Sequence, residues 1–366
     1  MFVAGETSGD MHASRVAEEI RRRAPDLGLA GIGGTRMERA GVELLEHSDR
    51  LAVMGFGDAI RQAPRHYRLL GDLRRRFRSG TVKLVILVDY PGFNLKVAQA
   101  ARDAGVPVLY YITPQVWAWG AGRLARMVRT VTKAAVILPF EEPLLRARGI
   151  DTTFVGHPLL DAASDLPSRE EARRTLGIDP ATTLLALFPG SRQSEVARHM
   201  APFAATAREL QRRRPGLEVV VSAAPGITLD GDVGPLRAVS APSFALFRAA
   251  DATLCKSGTS TLEAAVACCP MIIAYRTRGW EYAIGKLVVR IPYVGLVNVI
   301  AGARVAPEFL QDDVQPIPMA DALEPLLDRN SPQRAEQLAQ LASVRAKLGT
   351  VGASARVASL ALEMIA

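Results

Sequence analysis

Residues 83–112, KLVILVDYPGFNLKVAQAARDAGVPVLYYI, decide the fold class. The apolar run KLVILV predicts a buried strand that ends at Asp89, where a Pro-Gly pair follows shortly after and stops it. The segment from Leu95 to Ala104 predicts a helix, and PVLYYI predicts the next strand. A strand, a helix and a second strand in this order form the βαβ unit of a parallel sheet.

The same alternation continues on both sides of this unit. FVAG, a helix through Arg23 and LAGIGG come before it, and AAVILPF and TTFVG come after it. A polar stretch then breaks the pattern, which restarts with LLALFPGSR, LEVVVSA, ATLCKSG and MIIAY. Because 366 residues are too many for one ordinary core, the sequence predicts two doubly wound, Rossmann-like α/β domains. We place them at residues 1–163 and 164–347, with a C-terminal helix at 348–366.

Composition excludes several classes of protein. With 49% hydrophobic and 22% charged residues, the chain is neither disordered nor fibrous. Its 3 cysteines lack C-x-x-C spacing, which indicates a reducing compartment. Prolines interrupt the uncharged run at residues 104–122, and early acidic residues argue against a signal peptide. The sequence therefore predicts a cytoplasmic protein, or one attached to the cytosolic face of a membrane.

The charge balance indicates an anionic partner. The chain has 45 Lys+Arg and 37 Asp+Glu, a formal net charge of +8. Nucleic acid, a phosphate-bearing substrate and an acidic membrane surface all fit this charge. No nucleic-acid-binding motif accompanies it, so we expect no nucleic-acid partner. The 5 histidines show no metal-ligand spacing, so no metal site is predicted.

Ligands of doubly wound folds bind at the carboxyl ends of strands, so polar residues at these positions are candidates for the site. Asp89 ends a strand there and could deprotonate a substrate hydroxyl. Its other interpretation is a cap for the helix that follows. In the first strand-helix turn, Ser8 and Asp10 are candidates for contact with a phosphate or a sugar, or for capping the helix.

Two further strand ends have the composition of a diphosphate site. Gly190, Ser191 and Arg192 follow the strand LLALF, where backbone N–H groups, a hydroxyl and a guanidinium could bind negative charge. A second small-residue turn precedes a helix whose first turn carries Glu263, which could bind the two hydroxyls of a ribose or complete a capping box. This turn consists of Ser257, Gly258, Thr259 and Ser260.

Residues 51–80 combine arginines with large apolar side chains, a mixture typical of a segment that lies on anionic lipid. The alternative is an ordinary amphipathic helix whose apolar face packs inward. Under the first interpretation the membrane-facing residues are Phe56, Ile60, Arg61, Leu69, Leu70, Arg74, Arg75 and Arg76.

Ten motifs occur in a fixed order over almost the whole chain: GETSGD, LAVMGF, VDYPGFN, TPQVWAW, LPFE, GHPLLD, FPGSRQSEV, SGTSTLE, PMIIAYR and VNVIAG. Together they resemble the lipid-A-disaccharide synthases, glycosyltransferase family 19. The resemblance implies the GT-B fold, two Rossmann-like domains with a cleft between them, and a C-terminal helix that packs back on the first domain. It also implies an inverting transferase that joins UDP-2,3-diacylglucosamine to 2,3-diacylglucosamine 1-phosphate (lipid X) without metal or cofactor.

The same resemblance implies roles for the candidate residues. Asp89 would be the general base on the acceptor 6-hydroxyl, and Arg192 would neutralise the departing UDP. Glu263 would hold the ribose, the turn at residues 257–260 would support the diphosphate, and Asn298 would face the cleft. The N-terminal domain would take the acceptor and face the inner membrane of a Gram-negative bacterium, and the C-terminal domain would take the UDP-sugar. Whether the protein forms a homodimer is left open.

Two alternatives remain at this stage. One is another UDP-sugar enzyme of the GT-B fold, such as a lipid II-type N-acetylglucosamine transferase or a UDP-sugar epimerase. The other is a non-catalytic protein that binds anionic lipid, which would explain the basic charge but leave Asp89 and Arg192 without a role.

Overall fold

The apolar runs predicted as strands form two separate parallel sheets in the computed structural model. The structure describes residues 1–51, 56–117, 121–224, 226–229, 236–279 and 292–366, apart from the side chains of residues 50, 56–63 and 121. It divides into two units: Met1–Pro158 together with Gly349–Ala366, and Leu159–Leu348.

Strands and helices alternate in the first unit. In chain order they are β1 (Phe2–Ala4), α1 (Thr7–Arg23), β2 (Ala30–Gly33), α2 (Thr35–Arg39), β3 (Glu43–His47), α3 (Phe56–Arg78), β4 (Val85–Val88), α4 (Pro91–Asp103), β5 (Val108–Tyr111), α5 (Ala121–Thr130), β6 (Lys133–Val136), α6 (Glu141–Arg146) and β7 (Asp151–Phe154). The sheet order is β3-β2-β1-β4-β5-β6-β7, and all pairs are parallel. Helices cover both faces of the sheet, which is why its strands are buried and apolar.

The second unit repeats this plan with one strand fewer. Its elements are α7 (Leu159–Ala162), α8 (Arg169–Leu176), β8 (Leu184–Phe188), α9 (Gln193–Arg213), β9 (Glu218–Ser222), β10 (Arg237–Val239), α10 (Ser243–Ala249), β11 (Ala252–Lys256), α11 (Ser260–Val266), β12 (Met271–Tyr275), α12 (Leu296–Ala301), β13 (Glu308–Leu310), α13 (Pro316–Leu327) and α14 (Pro332–Lys347). The six parallel strands follow the order β10-β9-β8-β11-β12-β13.

The chain returns to the first unit at Gly349. Helix α15 (Ala353–Glu363) packs against α1, and its Val357, Ala358 and Ala361 are buried. Arg23 Nη1 donates a 2.7 Å hydrogen bond to Ser359 Oγ across this contact. The other boundary lies at residues 158/159 rather than 163/164, because the short helix α7 packs against α11 of the second unit.

Each sheet has one point where the strand order reverses, between β1 and β4 in the first unit and between β8 and β11 in the second. Loops that leave neighbouring strands at such a point diverge to opposite faces and leave a crevice at the carboxyl edge. Asp89 follows β4, and the two small-residue loops of the second unit follow β8 and β11. Within the described residues, no helix is both long enough and apolar enough to cross a membrane.

Candidate functional site

Asp89 lies just beyond β4 in an unusual backbone conformation. Asp89 and Tyr90 have φ angles of 49° and 48°, in the left-handed region that non-glycine residues rarely adopt. The Asp89 carbonyl accepts hydrogen bonds from Asn94 Nδ2 at 2.7 Å and from the Tyr110 hydroxyl at 2.9 Å. These bonds hold the backbone of the turn in place. Strained, well-braced residues of this kind are typical of functional sites.

The surroundings of Asp89 favour its protonated form. Burial, together with the nearby negative charge of Glu6, raises the pKa of Asp89 to about 6, although a hydrogen bond from the Tyr90 backbone acts in the opposite direction. A carboxylate with this pKa is ionised at neutral pH, yet it is more basic than an exposed aspartate. It is therefore suited to act as a general base.

The ring of Tyr90 lies directly over Gly5 at the end of β1. A Cβ atom at Gly5 would come within 2.2 Å of the ring, so only glycine fits at this position. The Tyr90 hydroxyl is 2.9 Å from His66 Nε2 and donates to the Leu51 carbonyl at 3.3 Å. Neither Tyr90 nor His66 was predicted as a site residue, because no sequence pattern shows that the loop after β4 contacts α3.

Ser8 and Asp10 have different surroundings at the start of α1. Ser8 is exposed. Asp10 is buried, and its carboxylate accepts hydrogen bonds from the backbone N–H groups of Gly34, Arg36 and Met37 at 2.7, 3.1 and 3.1 Å. The oxygens of Asp10 therefore satisfy the free N–H groups at the start of α2. Contact of Asp10 with substrate stays a prediction.

The second unit contains a cavity of about 830 Å³ at the carboxyl ends of β8 and β11. Most of the residues predicted for the diphosphate and the ribose line it: Gly190, Ser191, Arg192, Gly258, Thr259, Ser260 and Glu263. The cavity extends along the loop after β9 and the start of α10, which supply Ser222, Ala223, Ser240 and Ser243. Its volume is that of a pocket for a small molecule or a nucleotide.

The loop after β8 has a backbone that only glycine accommodates. Gly190 has a φ of 138°, and a Cβ there would lie 2.6 Å from the Cβ of Glu195. Arg192 forms the N-terminal boundary of α9, and its side chain is 78% exposed, 3.8 Å from Glu195. This exposure leaves the guanidinium free to move toward an anion at the start of the helix.

The loop after β11 brings Glu263 to the same cavity, where burial raises the pKa of its carboxyl group and a hydrogen bond with Ser243 acts in the opposite direction. Ser257 does not line the cavity. It is buried, and its hydroxyl donates a 2.9 Å hydrogen bond to the Val294 carbonyl. This bond joins two loops of the second unit, and contact of Ser257 with a ligand stays a prediction.

Asn298 also bonds within the second unit. It is fully buried, and its amide donates to the Ala306 carbonyl and to Glu308 Oε1, both at 2.8 Å, and accepts from the Ala306 N–H at 2.9 Å. Both ends of the amide are thus bonded inside the second unit. The place at a ligand that the VNVIAG motif implies for Asn298 stays a prediction.

The cavity contains an ion pair that was not predicted from the sequence. Lys256, the last residue of β11, donates from Nζ to Glu195 Oε1 at 2.8 Å, while Glu195 Oε2 accepts the Ser191 N–H at 3.1 Å. Both residues line the cavity. One feature of the sequence does indicate a cation at this site: a lysine directly before the SGTS turn, at the carboxyl end of a strand.

Part of the surface of α3 that was predicted to face the membrane is buried. Leu69 and Leu70 are buried in the first unit's core, together with Leu73 and Phe77. The rest of the surface of α3, called the basic face below, is exposed at Arg68, Arg74, Arg75, Arg76 and Arg78. The side chains of Phe56, Ile60 and Arg61 lie outside the described residues.

A buried carboxylate holds the loop after β5. Glu141 Oε1 accepts a 3.0 Å hydrogen bond from Trp117 Nε1, and Oε2 accepts one at 3.1 Å from the Leu138 N–H. Burial raises the pKa of Glu141 to about 7, although these hydrogen bonds act in the opposite direction. Searching the described part of the chain finds no group of three or more His, Cys, Asp or Glu side chains arranged to hold a metal ion.

Known proteins resemble this chain over its full length. The family model described as lipid-A-disaccharide synthetase matches residues 1–362. The lipid-A-disaccharide synthase of Geobacter sulfurreducens is 40% identical over 100% of this chain and 97% of its own length. That of Myxococcus xanthus is 36% identical over the same shares, 100% and 97%.

Solved structures resemble the fold at low sequence identity. The kitacinnamycin glycotransferase has a TM-score of 0.68 at 15% identity and covers 100% of this chain and 98% of its own. The UDP-GlcNAc 2-epimerase of Neisseria meningitidis has a TM-score of 0.64 at 12% identity, with the same coverage of 100% and 98%. The predicted class, two Rossmann-like α/β domains of the GT-B type, is confirmed. From the family model and the identity to these relatives, the chain belongs to the lipid-A-disaccharide synthase family of glycosyltransferases.

Proposed function

We propose that the protein transfers the diacylglucosamine of UDP-2,3-diacylglucosamine to the 6-hydroxyl of 2,3-diacylglucosamine 1-phosphate with Asp89 as the general base. The products are the β(1→6)-linked lipid A disaccharide 1-phosphate and UDP. The single observation that carries the mechanism is the position of Asp89, braced at the carboxyl end of β4 with a pKa of about 6.

The proposed step is one inverting displacement. Asp89 takes the proton of the acceptor 6-hydroxyl as its oxygen forms a bond to the anomeric carbon of the donor. The bond from that carbon to the diphosphate oxygen breaks, and the electron pair leaves with UDP. A base is needed because a neutral hydroxyl is a weak nucleophile, and a positioned carboxylate typically accelerates such a step by about 10²–10⁴-fold.

The departing UDP would be held by the second unit. Arg192 and the start of α9 would contact the diphosphate, with the turn at residues 258–260 beside them, and Glu263 would bind the ribose hydroxyls. Positive charge from a guanidinium and from a helix start stabilises a leaving diphosphate electrostatically. We therefore propose that the reaction requires no metal ion.

The proposed function is tested directly by incubating the purified chain with both diacylated sugars in excess EDTA. We expect UDP and a disaccharide 1-phosphate, detected together by mass spectrometry. Product formed only after magnesium is restored would contradict metal independence but not the transfer. Consumption of the UDP-sugar without a disaccharide, or its conversion to an epimer, would contradict the transferase assignment.

We further propose that the basic face of α3 binds the anionic cytosolic face of the inner membrane, because the acyl chains of both proposed substrates favour a lipid surface. Five exposed arginines lie along this face, and Tyr67 beside them is 67% exposed, with Lys96 Nζ of α4 5.3 Å from its ring centre. Arginines together with an interfacial aromatic group are typical of membrane surfaces. Because Leu69 and Leu70 pack into the core of the first unit, this part of α3 would contact the lipid surface and would not insert into it.

Charge reversal at Arg74, Arg75 and Arg76 should weaken association with anionic vesicles by at least about a hundredfold, since each basic residue contributes roughly 1 kcal/mol at such a surface. Co-sedimentation with vesicles of phosphatidylglycerol and phosphatidylethanolamine measures the effect. All three side chains are exposed, so the melting temperature should change little.

Reversal of Arg174, Arg212 and Arg345 is the matched control, because these exposed arginines belong to the second unit. It changes the net charge equally and should leave most of the vesicle binding intact. Equal losses in the two triple variants would show a general charge effect and contradict the assignment to α3.

The pH profile follows from the raised pKa of Asp89. We expect kcat/KM to rise through about pH 6 and then to level off, because the base works only when it is ionised. Burial also raises the pKa of Glu141, to about 7, so folding should be followed by circular dichroism over the same range. A rate that stays constant between pH 5 and 7.5 in folded protein would assign the base to another group.

A further inference from the structure

Lys256 lies between the two loops of the second unit that border the cavity. Its ammonium group is 2.8 Å from Glu195 Oε1, beside the loop after β8. On the other side, a Cβ atom at Gly258 would lie 3.5 Å from the same nitrogen. The Lys256 side chain is only 17% exposed, so it is a held cation, in contrast to the freely exposed Arg192.

The carboxylate of Glu195 has the hydrogen-bonding pattern of a bound anion. Its two oxygens accept from a backbone N–H group, that of Ser191, and from the Lys256 ammonium group. An ammonium group has three N–H donors, so a phosphate oxygen in this part of the cavity can accept from Lys256 while Glu195 stays bound to it. Glu195 thus holds the ammonium group beside the loop after β8.

We propose that Lys256 binds the diphosphate of the UDP-sugar, and that Glu195 is a positioning residue that holds the ammonium group between the two loops. The inference rests on the proposed function for the identity of the ligand. Lys256 would be a second cation at the diphosphate besides Arg192, and its ammonium group is already held in place by Glu195. Because a half-buried ammonium is poorly hydrated, its attraction to a phosphate is stronger than that of an exposed side chain.

The test measures the affinities of UDP and uridine by calorimetry. For Lys256→Met we expect UDP to bind at least about tenfold more weakly, since a charge-assisted hydrogen bond is lost. Uridine has no phosphate, so its affinity should stay unchanged. Lys256→Arg should recover part of the UDP affinity. An equal loss for UDP and uridine would show a distorted pocket and overturn the proposal.

A double variant separates contact with the diphosphate from simple neutralisation of Glu195. In Lys256→Met with Glu195→Gln, no unpaired carboxylate remains, and the glutamine oxygen still accepts the Ser191 N–H. We expect UDP binding to stay weak, because the ammonium is absent. Full recovery of UDP affinity would mean that Lys256 only balances Glu195, which contradicts the proposal.

Lys133→Met is the matched control. Lys133 also pairs with a carboxylate, 2.7 Å from Asp151, and its side chain is 21% exposed, but it belongs to the first unit. Its loss should leave UDP affinity unchanged. The two proposals fail separately: a wild-type protein that does not bind UDP contradicts the proposed function, whereas UDP binding unaffected by Lys256→Met contradicts only this inference.

Discussion

Substitution of Asp89 by Asn should lower kcat by about 10³-fold while UDP affinity stays within about twofold of the wild type. Asparagine keeps the size of the side chain but cannot accept the proton of the acceptor hydroxyl. The cavity proposed for the nucleotide lies in the second unit, whereas Asp89 lies in the first, so UDP affinity serves as an internal control. Initial rates of UDP release and calorimetric titration with UDP measure the two quantities.

The melting temperature of the Asp89→Asn variant is a second measurement, and the direction of its change follows from the pKa of Asp89. Burial raises the pKa of Asp89 above its unfolded value, so ionisation costs stability as pH rises through about 6. The variant should therefore melt at the same or a higher temperature than the wild type at pH 8. A large drop in melting temperature would make the loss of activity a folding defect.

Asp103→Asn serves as the control for this experiment. Asp103 ends α4, the helix that follows Asp89, and it is exposed, with its carboxylate accepting a 2.8 Å hydrogen bond from Gln99. We expect full activity. If Asp89→Asn itself retained more than a tenth of the wild-type kcat, another group would have to be the base.

Substitution of Asp251 by Asn should cost about 3–5 kcal/mol of folding free energy in the second unit. Asp251 is fully buried, and its carboxylate accepts from Arg173 and from the Leu184 N–H at 2.8 and 2.9 Å, and from Arg169 and Arg329 at 2.7 and 3.0 Å. Arg173 is itself 1% exposed, so removing the negative charge leaves a buried cation without its partner. Urea denaturation followed by circular dichroism measures the loss.

The pH dependence of this contribution can also be stated. Burial raises the pKa of Asp251, but the Leu184 N–H and the arginines outweigh it and hold the pKa below its usual value. The stabilisation is therefore present above the unfolded pKa of an aspartate and is lost as pH falls through the lower, folded value. The Asn variant and the wild type should thus converge in stability toward strongly acidic pH.

Asp321→Asn removes a carboxylate that contacts an arginine at the surface. Asp321 accepts from Arg213 at 2.7 Å, but its side chain is 59% exposed. We expect a cost below about 1 kcal/mol, as is typical of exposed ion pairs. Comparable losses of folding free energy at Asp251 and Asp321 would contradict the view that the ion pairs of Asp251 contribute more because they are buried.

The sequence predicted the strand ends well, because each is marked by an apolar run followed by glycine, proline or a polar residue. Asp89, Gly190 and Arg192 all lie where this pattern puts them. The pattern could not distinguish a side chain that faces a ligand from one that binds another part of the chain. Asp10 bonds to a turn 24 residues later, a contact that depends on the pairing of β1 with β2.

Long-range contacts also determine the surroundings of other polar residues. Asn298 and Ser257 have the polarity of ligand-binding residues, but their partners, Ala306 and Val294, come from loops whose placement depends on β13 and β12. In α3 the spacing of apolar residues predicted an apolar and a basic face, but it did not show whether the apolar face packs on the protein or on lipid. The sheet of the first unit covers Leu69 and Leu70 and leaves the arginines outside.

The return of the chain to the first unit has a consequence for protein synthesis. The buried residues of α15 share a core cluster with Tyr111, Ala135 and Val155 and are translated after the whole second unit. A domain usually folds as it leaves the ribosome, but this one lacks part of its core until α15 emerges. The first unit to be translated is thus the last to be completed, and the growing chain exposes an apolar surface that a chaperone could bind.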